Sequence, residues 1–205
     1  MKLHLGCSNK LKEGWVNTDA ELSKTHRARP QVTKLDVTEP FPYINNSIDI
    51  IYHEHLLEHI NYQDQQRMLS ECHRTLINKG IMRLATPNIH FIMNLTKEND
   101  KNKLYIDTIF KHFLYEQKQN VPNDYQTRAI VVINNAFRDW GHLFLLSRDS
   151  IKTLLVNAGF ALENIKECKY GESDHKELVN AEMHGNNEKT AKIARMETII
   201  FEVTK

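Results

Sequence analysis

The first part of the chain contains a series of short hydrophobic runs that predict β-strands. These runs cover 2–5, 15–18, 31–37 and 48–51, and each is followed by glycine or polar residues. Short aliphatic and β-branched runs bounded by turn residues are typical of buried strands. We therefore expect four strands within the first 51 residues.

Between 63 and 77 the apolar positions change to the spacing of a helix. The recurring apolar residues are Met68, Leu69, Cys72 and Leu76. This spacing predicts an amphipathic helix, with Asn61 suited to cap its start and Gly80 to end it. A fifth strand is expected at 81–85, ended by the turn sequence Thr86-Pro87-Asn88.

The segment 88–140 interrupts this alternation of strands and helices. It contains three stretches with helical spacing, at 89–95, 104–115 and 125–137, separated by polar runs. An insertion at the carboxyl end of a strand commonly shapes a substrate pocket. We expect one domain over 1–205 in which 88–140 forms a helical lid, and the alternative is a purely structural insertion.

The last quarter of the chain returns to alternating elements. Ser147 is suited to cap a helix at 148–157 that ends at Gly159. A strand is expected at 160–168, a polar connection at 172–195, and a strongly β-branched final strand at 198–203. The whole pattern indicates an α/β domain.

Composition excludes several classes of protein. With 27 basic and 26 acidic residues the net charge is +1, which argues against a nucleic-acid partner. No run reaches the ~18 apolar residues of a membrane span, and the first residues do not resemble a signal peptide. The three cysteines are widely separated and odd in number, which favours free thiols and a cytoplasmic location.

Five ionisable side chains lie where the fourth strand is expected to give way to a helix, in the sequence SIDIIYHEHLLEHI at 47–60. They are His53, Glu54, His55, Glu58 and His59. Ligands bind at the carboxyl ends of strands in open α/β sheets. This stretch is therefore the predicted functional edge of the domain.

Gly6 and Asp19 follow the first two predicted strands and are candidate ligand contacts. A glycine after a strand permits a sharp turn close to a ligand, and an acidic residue at the tip of the second strand can accept hydrogen bonds from a ribose. The alternative is a turn glycine and a solvated aspartate. GxGxxG and P-loop sequences are absent, which argues against nicotinamide and P-loop enzymes.

Five sequence motifs in order resemble the class I S-adenosylmethionine-dependent methyltransferases. They are LHLGCSN at 3–9, GWVNTD at 14–19, LDVTEPFP at 35–42, SIDIIYHEHLLEHI at 47–60 and HRTLINKGIMRLATPN at 73–88. The chain is most similar to the small subgroup with GWxNxD and EHxLEH motifs. This resemblance implies a Rossmann-like seven-stranded sheet of order 3-2-1-4-5-7-6 with one antiparallel strand, flanked by helices.

The resemblance also implies a binding site for S-adenosyl-L-methionine, with S-adenosyl-L-homocysteine as product. The implied contacts are Leu5, Gly6, Cys7 and Ser8 at the methionine and ribose side, Asp19 at the ribose, Asp36 and Val37 at the adenine, and His53 and Glu54 near the methyl group. Two positions differ from the family pattern, because His4 replaces an acidic residue and Ser8 replaces a glycine.

If the acceptor is an alcohol, a base must take its proton during transfer, and histidine suits this role near neutral pH. His142 is the first candidate, because it follows a glycine at the junction between the insertion and the core. His53 and Glu54 follow, at the strand tip. His55 is a further candidate, and we expect His59 to brace its helix with Glu58.

The resemblance favours O-methylation of a sugar hydroxyl in glycan or polysaccharide synthesis, with Trp140, Phe144 and Tyr125 as candidate aromatic surface and no metal ligands. Two alternatives stay open. The sequence HLLEH at 55–59 matches the HxxEH zinc-hydrolase motif, in which two histidines bind zinc and the glutamate is the base. The chain could also be a non-catalytic binding module of the same fold.

Overall fold

The computed structural model describes residues 1–21, 31–114, 120–185 and 187–205. The strands are β1 (Lys2–Leu5), β2 (Val16–Asp19), β3 (Val32–Lys34), β4 (Ile48–Glu54), β5 (Leu76–Pro87), β6 (Ile165–Cys168) and β7 (Thr198–Thr204). The α-helices are α1 (Tyr62–Thr75), α2 (Ile89–Met93), α3 (Asp100–His112), α4 (Tyr125–Arg138), α5 (Arg148–Asn157) and α6 (Glu188–Glu197). Within these ranges no helix has the length and apolarity needed to span a membrane.

The strands form one sheet of order β3-β2-β1-β4-β5-β7-β6, which confirms the predicted topology. The first five strands pair in parallel, and β7 runs antiparallel to both β5 and β6. The carboxyl ends of β1, β2, β4 and β5 therefore lie along the same edge of the sheet. No helix forms between Gly6 and Trp15, because the loop from β1 to β2 is short.

Aliphatic side chains of the central strands pack with α1 and α5 to form the main core. The core includes Leu3 of β1, Ile51 of β4, Leu69 of α1 and Leu154 of α5, all fully buried. Ser147 caps α5 with a reciprocal capping box, as its position in the sequence predicted.

The segment after β5 has a second hydrophobic core of its own. Side chains of α2, α3 and α4 form it together with Ile193 of α6. The two ends of this segment lie side by side. Asn88 and Leu146 form an isolated β-bridge, and the Ile89 amide donates to the Leu146 carbonyl at 2.9 Å. The inserted helices are therefore closed at their base and packed as a unit against α6.

The boundary between α1 and β5 differs from the prediction. The helix ends at Thr75, and β5 begins at Leu76, which pairs with Ile48 of β4. The Lys79 amide donates to the Lys205 carbonyl, and Lys79 rather than Gly80 has the positive φ, at 65°. Strand pairing thus overrides the helical periodicity over 76–77, and the prediction that Gly80 ends the helix is wrong.

Other predicted elements also change. The third strand, predicted over 31–37, covers only Val32–Lys34. The helix expected after β4 is a single 3₁₀ turn at Leu57–His59. The strand predicted from residue 160 begins at Ile165, after a 3₁₀ turn at Leu162–Asn164. The predicted polar connection 172–195 contains most of α6, whose N-cap Asn187 forms a capping box with Thr190.

A buried ion cluster fixes the segment that precedes α6 against the sheet. Arg83 of β5 is fully buried and donates to Glu182 at 2.6 Å and to Glu202 of β7 at 2.5 Å. It also donates to the Glu172 carbonyl at 3.0 Å. The guanidinium thereby ties the 172–182 segment to two strands.

Replacing Arg83 by methionine should lower the free energy of unfolding by about 3–5 kcal/mol, because two buried carboxylates lose their cation. Chemical denaturation would measure this loss. The matched control is Arg67→Met, which removes an exposed ion pair with Asp64 and should cost less than about 1 kcal/mol. Equal losses in the two variants would contradict the structural role of the buried cluster.

Candidate active site

A cavity of about 480 Å³ opens at the carboxyl edge of the sheet, between the tips of β1 and β4 and the helices of the insertion and α6. Its polar lining comes from the loop Gly6–Lys10, from Glu54 and from five histidines, His4, His55, His59, His142 and His184. Its apolar lining includes Ile92, Ile109, Phe113, Trp140 and Ile193. A volume of this size accommodates a small organic ligand.

Gly6 forms the sharp turn at the tip of β1, beside the cavity. Its φ is +60°, a conformation that costs other residues free energy, and a Cβ placed there would lie 2.8 Å from Leu56 Cδ1. The Cys7 amide then donates to the Thr18 carbonyl of β2, and the Ser8 amide donates to Asp19 Oδ2 at 2.8 Å. The loop is thus held between the first two strands.

His4 stands where the resemblance leads one to expect an acidic residue, and it lines the cavity. The Asn17 amide nitrogen donates to the Lys12 and Trp15 carbonyls, so its Oδ1 accepts from His4 Nδ1 at 3.1 Å. His4 Nε2 is then the nitrogen with a lone pair. Burial lowers the pKa of His4 to about 4, so the ring is a neutral acceptor at neutral pH.

The residues predicted for the ribose and adenine lie along β2 and beyond β3, outside the lining of this cavity. Asp36 accepts from the Thr38 amide and hydroxyl, which lowers the pKa of its carboxyl. Val37 and Leu5 have side chains buried in the main core. Residues 22–30, between β2 and β3, lie outside the described part of the chain.

Glu54 lines the cavity, but its carboxylate is engaged by the chain itself. Oε2 accepts from the Met183 amide at 2.8 Å and the Tyr52 hydroxyl at 3.1 Å, and Oε1 accepts from the His184 amide at 3.1 Å. Glu54 thus holds the segment 172–185 before α6, here called the strap, whose His184 and Gly185 also line the cavity.

His53 is fully buried and is absent from the cavity lining. It shares a face of β4 with Ile51, two residues earlier, whose side chain lies in the main core. Neither ring nitrogen has a hydrogen-bond partner among the described residues, and burial lowers its pKa to about 3. A base must reach the acceptor, so this position gives His53 no direct part in proton transfer.

His142 lines the cavity after the tight turn that ends α4, where Trp140 and Gly141 have positive φ. Its Nδ1 lies 2.8 Å from the Ala136 carbonyl, and a carbonyl oxygen can only accept a hydrogen bond. Nδ1 therefore carries the proton and Nε2 has the lone pair. Burial lowers the pKa of His142, which keeps the ring neutral at neutral pH.

Glu58 is buried beneath the cavity and joins the turn after β4 to the segment that carries His142. Its carbonyl accepts from the Leu143 amide at 2.7 Å and from the Phe144 amide at 3.2 Å. Its carboxylate accepts from the Thr86 hydroxyl at 2.9 Å and lies 3.0 Å from His55 Nδ1. Burial alone would raise the pKa of Glu58, but attraction to His55 lowers it to about 2.

Helix α6 and the strap before it also line the cavity, which the sequence pattern did not predict. Thr190, Ile193, Ala194 and Glu197 of α6 line the cavity together with His184. His184 stacks on His55 with ring centroids 3.7 Å apart. The Asn187–Thr190 capping box and the i, i+3, i+4 spacing of Thr190, Ile193 and Ala194 were available as signals of this helix.

The HxxEH zinc arrangement is not formed. That motif requires two histidines one turn apart on a helix, whereas His55 precedes a 3₁₀ turn and has a φ of +49°. Within the described residues, His55 groups with His184 and Glu197, and His59 groups with Glu58 and His142. The two histidines of the motif thus belong to different clusters. Glu58 forms an ion pair with Nδ1 of His55.

Of the three aromatic residues predicted to contact an acceptor, Trp140 lines the cavity. Phe144 lies outside the lining and packs against Tyr62, with ring centroids 5.2 Å apart. Tyr125 donates its hydroxyl to the Leu95 and Lys97 carbonyls, which fixes α4 to the segment after α2.

Comparison with protein families identifies one match, to a methyltransferase domain, over residues 13–84. A search of curated proteins finds no match to this chain. The matched range runs from the residue before Gly14 to β5, and so includes Asp19 and the turn that carries Glu58.

Solved structures share the fold at low sequence identity. A S-adenosylmethionine-dependent methyltransferase from Archaeoglobus fulgidus aligns with a TM-score of 0.55 and 14% identity, covering 100% of this chain and 85% of the other. One from Mesorhizobium loti gives 0.56 and 14%, covering 100% and 90%. A structure described as a possible histamine N-methyltransferase from Thermotoga maritima gives 0.53 and 14%, covering 100% and 81%.

Gly6→Ala should destabilise the protein more than Gly14→Ala. Both positions have a positive φ, which costs an alanine about 1–2 kcal/mol, but only Gly6 has a side chain in the way. A Cβ at Gly14 meets nothing within 4 Å. Denaturant titration of both variants separates backbone strain from the contact with Leu56, and equal costs would contradict that contact.

Stability should fall in acid through His4 and His53. Their pKa values are lowered to about 4 and about 3, so the folded state resists protonation that the unfolded chain accepts near 6.5. Each histidine should cost about 1.4 kcal/mol per pH unit from about 6.5 down to its lowered pKa, about 4 for His4 and about 3 for His53. His53→Leu should reduce the slope of unfolding free energy against pH below about 6.5, because the variant has no ring to protonate at that position. An unchanged slope in His53→Leu would contradict this account.

Proposed function

This chain has the class I S-adenosylmethionine-dependent methyltransferase fold and matches a methyltransferase domain over residues 13–84, and we propose from that premise that it methylates a hydroxyl group of a small acceptor. The observation that carries the proposal is the cavity that runs from Gly6 to His142. This cavity connects the expected site of the methyl donor, at Gly6, to His142, whose Nε2 has a free lone pair.

The residues at the carboxyl edge fit the expected cofactor. When bound, S-adenosylmethionine supplies an electrophilic methyl group on a sulfonium. The Gly6 turn leaves backbone space at the tip of β1, and the neutral His4 offers Nε2 as an acceptor for the methionine ammonium. Asp19 stands at the tip of β2, where one carboxylate oxygen accepts from the Ser8 amide, and it is the proposed partner of the ribose. Asp36 and Val37 are proposed for the adenine side.

His142 is the proposed base. Its Nδ1 donates to the Ala136 carbonyl, so Nε2 takes the proton of the acceptor hydroxyl as the new bond to carbon forms. The buried Glu58 carboxylate belongs to the same cluster and stabilises the imidazolium that results. Glu54 and His53, the other predicted candidates, support the cavity through the strap and the core.

The inserted segment 88–140 is proposed as the lid of this site. Ile92, Ile109, Phe113 and Trp140 line the cavity opposite the Gly6 loop, and the segment has its own core. Closing an apolar wall over the donor excludes water and holds the two reactants in attack geometry, which can supply ~7–11 kcal/mol of the barrier.

A sugar is the proposed source of the hydroxyl, in keeping with the EHxLEH resemblance. Trp140 supports this choice, because an exposed indole at a cavity wall can stack on the apolar face of a sugar ring. The histidines at the same cavity offer hydrogen-bonding partners for neighbouring hydroxyls.

Replacing His142 by alanine should lower turnover by about 10²–10⁴-fold and leave S-adenosylmethionine affinity unchanged. Turnover is measured as S-adenosylhomocysteine release with a panel of methyl glycosides and simple phenols, and affinity by titration calorimetry. Added imidazole should restore part of the lost turnover.

The matched control is His90→Ala, an exposed histidine on α2 outside the cavity lining. It should retain both affinity and turnover. Turnover of His142→Ala within a few-fold of the unaltered chain would remove His142 from the mechanism, and failure of the unaltered chain to bind S-adenosylmethionine would overturn the proposed function.

A further inference from the structure

Glu58, His59 and His142 form a compact cluster on the cavity side of the 3₁₀ turn. One carboxylate oxygen and one nitrogen from each ring lie within 4.8 Å of one another. The two rings meet edge to face, with centroids 5.1 Å apart and an interplanar angle of 68°. His59 and His142 line the cavity, while Glu58 is fully buried.

Both imidazoles are oriented in the way that metal-binding histidines usually are. His142 Nδ1 donates to the Ala136 carbonyl at 2.8 Å, and His59 Nδ1 donates to the Gly141 carbonyl at 3.2 Å. A hydrogen bond from the second nitrogen to a backbone carbonyl fixes the tautomer and ring orientation of a metal ligand. Each ring therefore keeps an Nε2 lone pair for a cation.

Glu58 supplies the buried carboxylate of the cluster. Its Oε2 accepts from the Thr86 hydroxyl. Its Oε1 is fully buried and lies 3.0 Å from His55 Nδ1, with which it forms an ion pair. Buried carboxylate oxygens are normally paired or coordinate a metal.

The backbone that carries these side chains is held in place without a metal. The Glu58 carbonyl accepts from the Leu143 and Phe144 amides. The Gln65 side chain donates to the Leu57 carbonyl at 2.8 Å and to the Phe144 carbonyl at 3.3 Å. The turn with Glu58 and His59 is thus locked to the segment with His142.

We propose that Glu58, His59 and His142 form a binding site for a zinc ion, and that zinc at this site inhibits methyl transfer. Two histidines and one glutamate are a known donor set for zinc, with a fourth position left for water. His59 and His142 line the cavity, so the ion is expected beside it. Zinc takes the Nε2 lone pair of His142 by a dative bond, so the same nitrogen can no longer accept the proton of the acceptor.

The neighbouring cluster of His55, His184 and Glu197 is a weaker candidate for the same ion. Its two rings are stacked at 3.7 Å with an interplanar angle of 10°, so their in-plane lone pairs run parallel and do not converge. Both nitrogens of His55 are also engaged, Nδ1 at Glu58 and Nε2 at the Thr198 hydroxyl, 3.2 Å away.

Binding is tested on the full chain after chelator treatment, by calorimetric titration with zinc chloride and elemental analysis, without cofactor or acceptor. One zinc per chain is expected. His59→Ala should weaken binding at least about tenfold, because even outer-shell partners of a metal contribute 10–100-fold. Glu58→Gln, which keeps the shape and removes the charge, should weaken it as well.

The matched control for the other cluster is His184→Ala, which should bind zinc as tightly as the unaltered chain. Thermal unfolding confirms that each variant folds. Absence of zinc binding by the unaltered chain would overturn the site, and so would binding lost in His184→Ala but kept in folded His59→Ala and Glu58→Gln.

Inhibition rests on the proposed function, whereas zinc binding does not. One equivalent of zinc should abolish S-adenosylhomocysteine release, a chelator should restore it, and S-adenosylmethionine affinity should stay unchanged. Turnover that is unaffected or increased by bound zinc would overturn the inhibitory role and leave the binding result standing.

Discussion

The parallel pairing of β1 with β4 is the constraint on which the site depends. Leu5 lies opposite His53 in this pairing, so Gly6 and Glu54 follow at the same edge of the sheet. Pairing of β1 with β2 on the other side adds Asp19, through the hydrogen bond from the Ser8 amide. A ligand site at these strand ends follows from the direction of the strands, because all of them end on one side.

Glu58 connects this edge to a distant part of the chain. Its carbonyl holds Leu143 and Phe144, and its carboxylate lies among His55, His59 and the Thr86 hydroxyl. The position of His142 therefore depends on a residue that never contacts bulk solvent. The same arrangement that prepares a base also prepares a set of zinc ligands, because both roles require a neutral imidazole with a free Nε2.

The cavity is closed by two segments that are far apart in the sequence. The inserted helices supply an apolar wall with a core of its own, and α6 packs into that core through Ile193. The strap before α6 is fixed by Glu54 and by the ion cluster around Arg83. The sheet, the inserted helices and the strap thus all contribute walls to the same cavity.

The sequence by itself determined the strand order and the edge that carries the site, because the motifs from LHLGCSN to LATPN occur in a recognisable order with clear periodicity. It did not determine the start of β5, where pairing of Leu76 with Ile48 overrides a helical pattern. It also missed α6, whose narrow apolar stripe is carried by a mainly polar sequence.

Only the tertiary structure decided which histidines face the cavity and in which tautomer. His53 and Glu54 are adjacent in sequence, yet the alternation of side chains along β4 buries the first in the core and brings the second to the cavity. The free nitrogen of His142 is set by the Ala136 carbonyl, and that of His59 by the Gly141 carbonyl, 82 residues away. Such partners are fixed by packing, so local sequence carries no signal for them.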